Sequence, residues 1–173
     1  LYSSPGMGKS ELIYEICKKL KLVLTRYDLA TFDNTEFSER VEKMSYGGVL
    51  LIEDIDRVFE GTNNLHASQQ YGGLTFDCLI NTLSGIGALK NCFVFVTCND
   101  ISKLDPALLR PGRIDEKVEL KALSKGGKQF IAERILDNWP NLIDNIVRDA
   151  PESETVVDFE NRCVMLANEQ YWK

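Results

Sequence analysis

Apolar residues recur along this chain with two different periods. Val49-Leu50-Leu51-Ile52 and Phe93-Val94-Phe95-Val96-Thr97-Cys98 are continuous hydrophobic runs, the pattern of fully buried strands in a parallel sheet covered by helices on both faces. Leu22-Val23-Leu24 reads as a short buried strand, Lys117-Val118-Glu119-Leu120 as another short one, and Leu1-Tyr2 as the end of a further strand. Between these runs the period turns helical. Leu12, Ile13, Ile16 and Leu20 predict a helix over 10–20 with one buried face, and Leu74–Leu83 reads as a helix too. Phe37, Val41 and Met44 predict a helix over Thr35–Ser45, capped by Asn34 or Thr35 and ended by Gly47-Gly48. Segment 60–73 reads as loop. Strands alternating with helices predict an α/β fold with a three-layer parallel sheet. From Ser124 onward the signal is helical only, over 126–137 and about 154–171, with Pro140 and Pro151 between. The expected division is therefore an α/β unit over 1–123 and a small, partial helical unit over 124–173. The chain has no initiator Met and reads as a piece cut from something longer, with its first strand largely missing. That strand is expected in the middle of the sheet, so the piece alone is expected to aggregate or stay partly unfolded.

Composition narrows the class. At 173 residues and 44% hydrophobic, the chain can bury one ordinary core, or one core with a satellite, and reads as a soluble globular protein. Its longest apolar stretches, 48–52 and 92–98, fall far short of the about 20 residues that cross a bilayer, and its first residues do not form a signal peptide. Cys17, Cys78, Cys92, Cys98 and Cys163 are odd in number and form no C-x-x-C pair, which points to a reducing intracellular compartment and no structural zinc. His66 reads as a solvated loop residue. A net charge of −6 argues against a dedicated nucleic-acid binder, and Lys18, Lys19 and Lys21 read as the wet face of a helix.

Candidate chemistry begins at Ser3-Ser4-Pro5-Gly6-Met7-Gly8-Lys9-Ser10. Gly6 and Gly8 let the backbone curl so that several N–H groups aim at one phosphate, Lys9 reaches the terminal phosphates, and the Ser10 hydroxyl ligates Mg²⁺. The helix opening at Ser10 or Glu11 adds the positive end of its dipole. Ser3 stands where the pattern G-x-x-x-x-G-K-[ST] has its first glycine, one departure from the full match. Ser4, Pro5, Gly6, Met7, Gly8, Lys9, Ser10 and Glu11 are the expected binding segment for ATP.

Directly after Val49–Ile52 come Glu53-Asp54-Ile55-Asp56, carboxylates at the C-terminal end of an apolar strand, where ligands bind in open α/β sheets. One carboxylate can hold Mg²⁺ and its neighbour can orient or deprotonate the attacking water. Glu53 is assigned to the metal and Asp54 to the water. Asp56 is a fallback for either, or simply an acid favoured at a helix N-terminus.

Residues 93–116, Phe-Val-Phe-Val-Thr-Cys-Asn-Asp-Ile-Ser-Lys-Leu-Asp-Pro-Ala-Leu-Leu-Arg-Pro-Gly-Arg-Ile-Asp-Glu, resemble the second region of homology of AAA ATPases. Together with Gly73-Leu74-Thr75-Phe76, the run Leu79-Ile80-Asn81-Thr82-Leu83-Ser84-Gly85 and the Glu-Asp-Ile-Asp order, the chain resembles the Bcs-type subgroup, which includes the mitochondrial Rieske-protein translocases. The resemblance covers about residues 1–120. It implies that Asn99 is the sensor asparagine that helps position water, and that Arg110 and Arg113 are arginine fingers acting on the neighbouring subunit's phosphates. It further implies a homo-oligomeric ring and a helical lid. Arg134, Arg148 and Arg162 are sensor-two candidates without motif support. No aromatic–glycine pore loop is evident, which places peptide threading behind other forms of remodelling.

The leading expectation is an Mg²⁺-dependent ATPase module, of chaperone type, that remodels or translocates a protein in the cytoplasm or at the mitochondrial inner membrane facing the matrix. The alternative is a nucleotide-gated scaffold that binds ATP with little or no hydrolysis, because Ser3 and the Glu53-Asp54 order both depart from the usual pattern. A nucleic-acid loader and a GTPase fit less well: the charge balance opposes the first, and Asn99-Asp100 is no guanine-reading motif.

Overall fold

The computed structural model describes residues 1–44, 47–66, 73–84 and 92–172. In chain order its elements are α1 (Lys9–Leu20), β1 (Leu24–Tyr27), α2 (Asn34–Glu42), β2 (Val49–Ile52), α3 (Ile55–Val58), β3 (Phe59–Glu60), β4 (Asn63–Asn64), α4 (Phe76–Ser84), β5 (Phe93–Val96), α5 (Lys125–Ile135), α6 (Ile143–Arg148) and α7 (Val156–Tyr171). They fall into two compact units, Leu1–Ser3 with Lys9–Glu119 and Ser4–Gly8 with Leu120–Lys173.

In the first unit, β2 offers no polar side chain at any of its four positions, and all four are fully buried. It pairs in parallel with β1 on one side and β5 on the other. Alternation along the strand divides the core. Val49 and Leu51 meet Ile13 and Cys17 of α1, while Leu50 and Ile52 join Phe37, Val41, Leu79 and Ile80 of α2 and α4 on the opposite face. This is the expected three-layer α/β arrangement. Beyond β5, Tyr2 forms parallel bridges with Cys98 on one side and Glu119 on the other, so it lies inside the sheet and not at its rim.

The structure corrects several expectations. Leu22-Val23 are not strand, and Val23 is 73% exposed, because Lys21 turns into the left-handed region and Leu22 N–H caps α1 at the Cys17 carbonyl. The strand lies further on, at Leu24–Tyr27, and tolerates Thr25 and Arg26 because nothing pairs with its outer edge among the described residues. The buried stripe of α1 is Ile13 and Cys17, four apart; Leu12 and Leu20 sit on its flanks and are exposed. β5 ends at Val96 and is not fully buried, since Leu1 and Tyr2 reach only its C-terminal end and Phe93 stays open. Lys117–Leu120 contributes a single bridge at Glu119 instead of a strand. α2 is capped one residue earlier than expected, by Asp33, whose carboxylate accepts from Glu36 N–H at 2.8 Å. Segment 60–73 includes the two-residue pairing of β3 with β4. Ser45, Gly85 and residues 67–72 lie outside the described residues.

The second unit is helical apart from Ser4–Gly8. Ile131, Ala132 and Leu136 of α5 pack with Ile143, Ile146 and Val147 of α6 and with Phe159, Cys163 and Ala167 of α7. α6 is short and bounded by Pro140 and Asp149, too brief for its period to stand out in sequence. Among the described residues no helix is long and apolar enough to cross a membrane.

Candidate functional site

In the first unit the chemistry-bearing residues gather where the strands end. α1 starts at Lys9, one residue before the expected position, and the Lys9 ammonium is buried. It donates to the Asn99 Oδ1 at 2.8 Å and to the Ser3 carbonyl at 2.9 Å, with the Ser3 hydroxyl at 3.4 Å. The structure thus brings the lysine of the loop to the asparagine 90 residues away. Ser3 continues the strand-end pairing through its N–H to the Cys98 carbonyl, and its φ is not positive. A serine therefore costs this position nothing in backbone strain. Gly6 and Gly8 do need glycine, at φ of 76° and 81°.

Ser10, on the first turn of α1, donates its hydroxyl proton to Glu53 Oε1, and Glu53 Oε2 is ion-paired with Arg26 Nε at 2.7 Å. A hydroxyl and a carboxylate side by side are hard oxygen donors of the type Mg²⁺ prefers. Asp54 stands at φ 48°, ψ 47°, in the left-handed region, which asparagine and aspartate tolerate better than most residues but which still carries strain. Its N–H is held by Thr97 Oγ1 at 3.0 Å and its carboxylate faces Arg57 at 3.3 Å. Asp56 is not spare. Its buried carboxylate accepts from the N–H groups of Asn99 and Asp100, each at 3.1 Å, and so carries the loop that presents Asn99. Asp100 in turn caps the 101–103 turn; its bonds from Ser102 hold its carboxyl below the ordinary range. Burial pushes the neighbouring Cys98 thiol up to about 11, with Asp56 adding to the effect.

The two expected finger arginines differ. Arg113 donates to the Ser84 hydroxyl at 3.1 Å and to the Ala107 carbonyl at 2.7 Å. Arg110 is exposed, and its guanidinium has no partner among the described residues. Glu11 is exposed on the first turn of α1. Arg26 escaped the sequence reading; the available signal was a lone cation inside a strand, which only the pairing register connects to Glu53.

In the second unit Ser4, Pro5 and Gly6 are exposed and Met7 is half-buried. The Gly6 carbonyl accepts from Val157 N–H at 3.2 Å, and a Cβ on Gly6 would lie 3.2 Å from Thr155 Oγ1, the cap of α7. The three sensor-two candidates are engaged inside this unit: Arg134 with Glu160, Arg148 with Asp149 and Asn145, and Arg162 with the buried Glu154.

Residues 1–122 match the family described as ATPase family associated with various cellular activities (AAA). The mitochondrial chaperone BCS1 of Danio rerio is 35% identical over 124 residues, covering 68% of this chain and 30% of the relative. The probable mitochondrial chaperone bcs1 of Schizosaccharomyces pombe is 29% identical over 148 residues, covering 84% and 33%. The AAA-ATPase At5g40000 of Arabidopsis thaliana is 31% identical over 154 residues, covering 79% and 32%. The chain spans about a third of the length of these relatives. With Lys9, the strand-end acids and Asn99 held together as described, the chain belongs to the AAA family of ATPases, in its Bcs-type branch.

Proposed function

We propose that this chain is the ATP-hydrolysing module of a homo-oligomeric ring that remodels or translocates a protein substrate. The observation that carries this reading is the junction of Lys9 with Asn99 beside the Ser10–Glu53 pair, all at the end of the sheet where β2 stops. Bound ATP with Mg²⁺ would supply the phosphoanhydride to be cleaved and a cation to offset its charge. Ser4–Gly8, Lys9, Ser10 and Glu11 form the binding segment, Ser10 and Glu53 hold the metal, Asp54 orients or deprotonates water, and Asn99 positions it. Arg110, without a partner among the described residues, acts across the subunit boundary, whereas Arg113 shapes the turn that presents it. Residues 1–123 form the nucleotide-binding subdomain and 124–173 part of a helical lid. The names of the relatives favour a mitochondrial setting and a chaperone-like role on protein.

The test is Mg²⁺-dependent ATP turnover by the full-length protein as its concentration is raised. Specific activity that climbs with concentration supports catalysis across subunits. Lys9→Ala should abolish ATP binding; unchanged binding removes the reading of this loop. One observation favours the second reading, a scaffold that binds without turnover: the Asp54 carboxylate is already paired with Arg57. Tight binding with no turnover at any concentration would select it.

A further inference from the structure

Arg26 lies on β1 opposite Leu51 of β2, and Tyr27 lies opposite Ile52. Side chains alternate along a strand, so Arg26 shares a face with Leu51 and with the next position on that face, Glu53. α1 packs on this face through Ile13 and Cys17 against Val49 and Leu51, which brings Ser10 to the same carboxylate. Glu53 is therefore bracketed, with Ser10 Oγ on Oε1 and Arg26 Nε on Oε2 at 2.7 Å. Asp54 has its own cation, Arg57, so Arg26 serves Glu53 alone among the two acids.

We propose that Arg26 is a positioning residue that acts through Glu53, holding its carboxylate on the Ser10 hydroxyl and offsetting its charge, and so setting how tightly Mg²⁺ is taken up with the nucleotide. This rests on the nucleotide-site reading above. Arg26 is 62% exposed on its side chain and Glu53 only 20%, so the pair adds little to folding stability. Its consequence is local. A unit charge about 6 Å from a divalent ion in near-aqueous dielectric shifts the ion's binding by about tenfold before salt screening, more than the few-fold loss expected from freeing one Glu rotamer. The charge effect wins at low salt and fades at high salt, while any positional effect persists.

The experiment titrates Mg²⁺ into the full-length protein with a fluorescent ATP analogue, reading nucleotide binding and not turnover, for wild type, Arg26→Gln and Arg26→Lys. For Arg26→Gln the half-saturating Mg²⁺ should fall about threefold to tenfold at low salt, and the difference should shrink in about 0.5 M salt. Arg26→Lys should stay within about twofold of wild type, because it restores the charge. At low salt an unchanged or raised half-saturation in a folded Arg26→Gln protein overturns the proposal, as does a fall that persists undiminished at high salt. Lys9→Ala separates the two claims. If it loses binding while Arg26→Gln behaves as wild type, the site reading stands and Arg26 has no part in it; if wild type binds no nucleotide, both fall.

Discussion

At the scale of single residues, the site sorts into groups held by their own chain and groups left to act on something else. Asp54 belongs to both, with a backbone in the left-handed region and a carboxylate facing Arg57. Asparagine tolerates that backbone as well as aspartate does, so Asp54→Asn should leave the melting temperature unchanged while ATP stays bound and turnover falls; near-normal turnover would move the water-activating role to Glu53. The Arg110 and Arg113 pair makes a sharper contrast. Arg110→Ala should slow hydrolysis by about 10³-fold with binding and melting temperature intact. Arg113→Ala removes bonds to Ser84 and Ala107, and should also cost about 1–2 kcal/mol of stability, seen in a denaturant melt. Equal stability of the two variants would deny Arg113 its structural part. Both arginines were legible in sequence as one motif, but their division was not, because it depends on Ser84, 29 residues away.

At the scale of elements, the ends of helices carry more information than their middles. α1 stops at Lys21, whose φ of 55° serves the cap that a glycine usually occupies, with Leu22 N–H reaching back to the Cys17 carbonyl at 2.9 Å. Lys21→Gly should therefore stabilise the protein by about 1 kcal/mol, raising the melting temperature by about 2–4 °C; a lower melting temperature would mean that the left-handed turn does not persist in solution. α7 shows the opposite case. Thr155 caps it by accepting from Asp158 N–H at 3.1 Å and also lies against Gly6. Gly6→Ala puts a Cβ at positive φ and 3.2 Å from Thr155 Oγ1, so it should weaken ATP binding and lower the melting temperature together, and no change in either would refute the close approach. Most element types followed from periodicity, Lys117–Leu120 excepted, yet β1 starts two residues later than expected and ends three later. The apolar run Leu22-Val23-Leu24 looks more strand-like than Thr25-Arg26-Tyr27, and pairing with β2 outweighed that preference.

At the scale of the whole molecule, the ring assembly proposed above makes the exposed Arg110 testable across subunits. In mixed rings of Arg110→Ala and Lys9→Ala subunits, each inactive alone, turnover should return where an intact Lys9 site meets a neighbour with an intact Arg110; no returned turnover would confine the arginine to its own site. By itself the sequence determined the fold class, the buried central strand, the loop from Ser3 to Ser10 and the family, because each rests on residues close together in the chain, where glycine freedom, hydrophobic period and motif spacing act locally. Only the tertiary structure decided that Lys9 meets Asn99, that Asp56 carries the loop that presents Asn99, that Glu53 is bracketed by Ser10 and Arg26, and that Arg113 is tied down while Arg110 has no partner among the described residues. Most of those pairings join residues tens of positions apart, set by sheet register and by which face each side chain takes, and no local pattern encodes the partner across that distance.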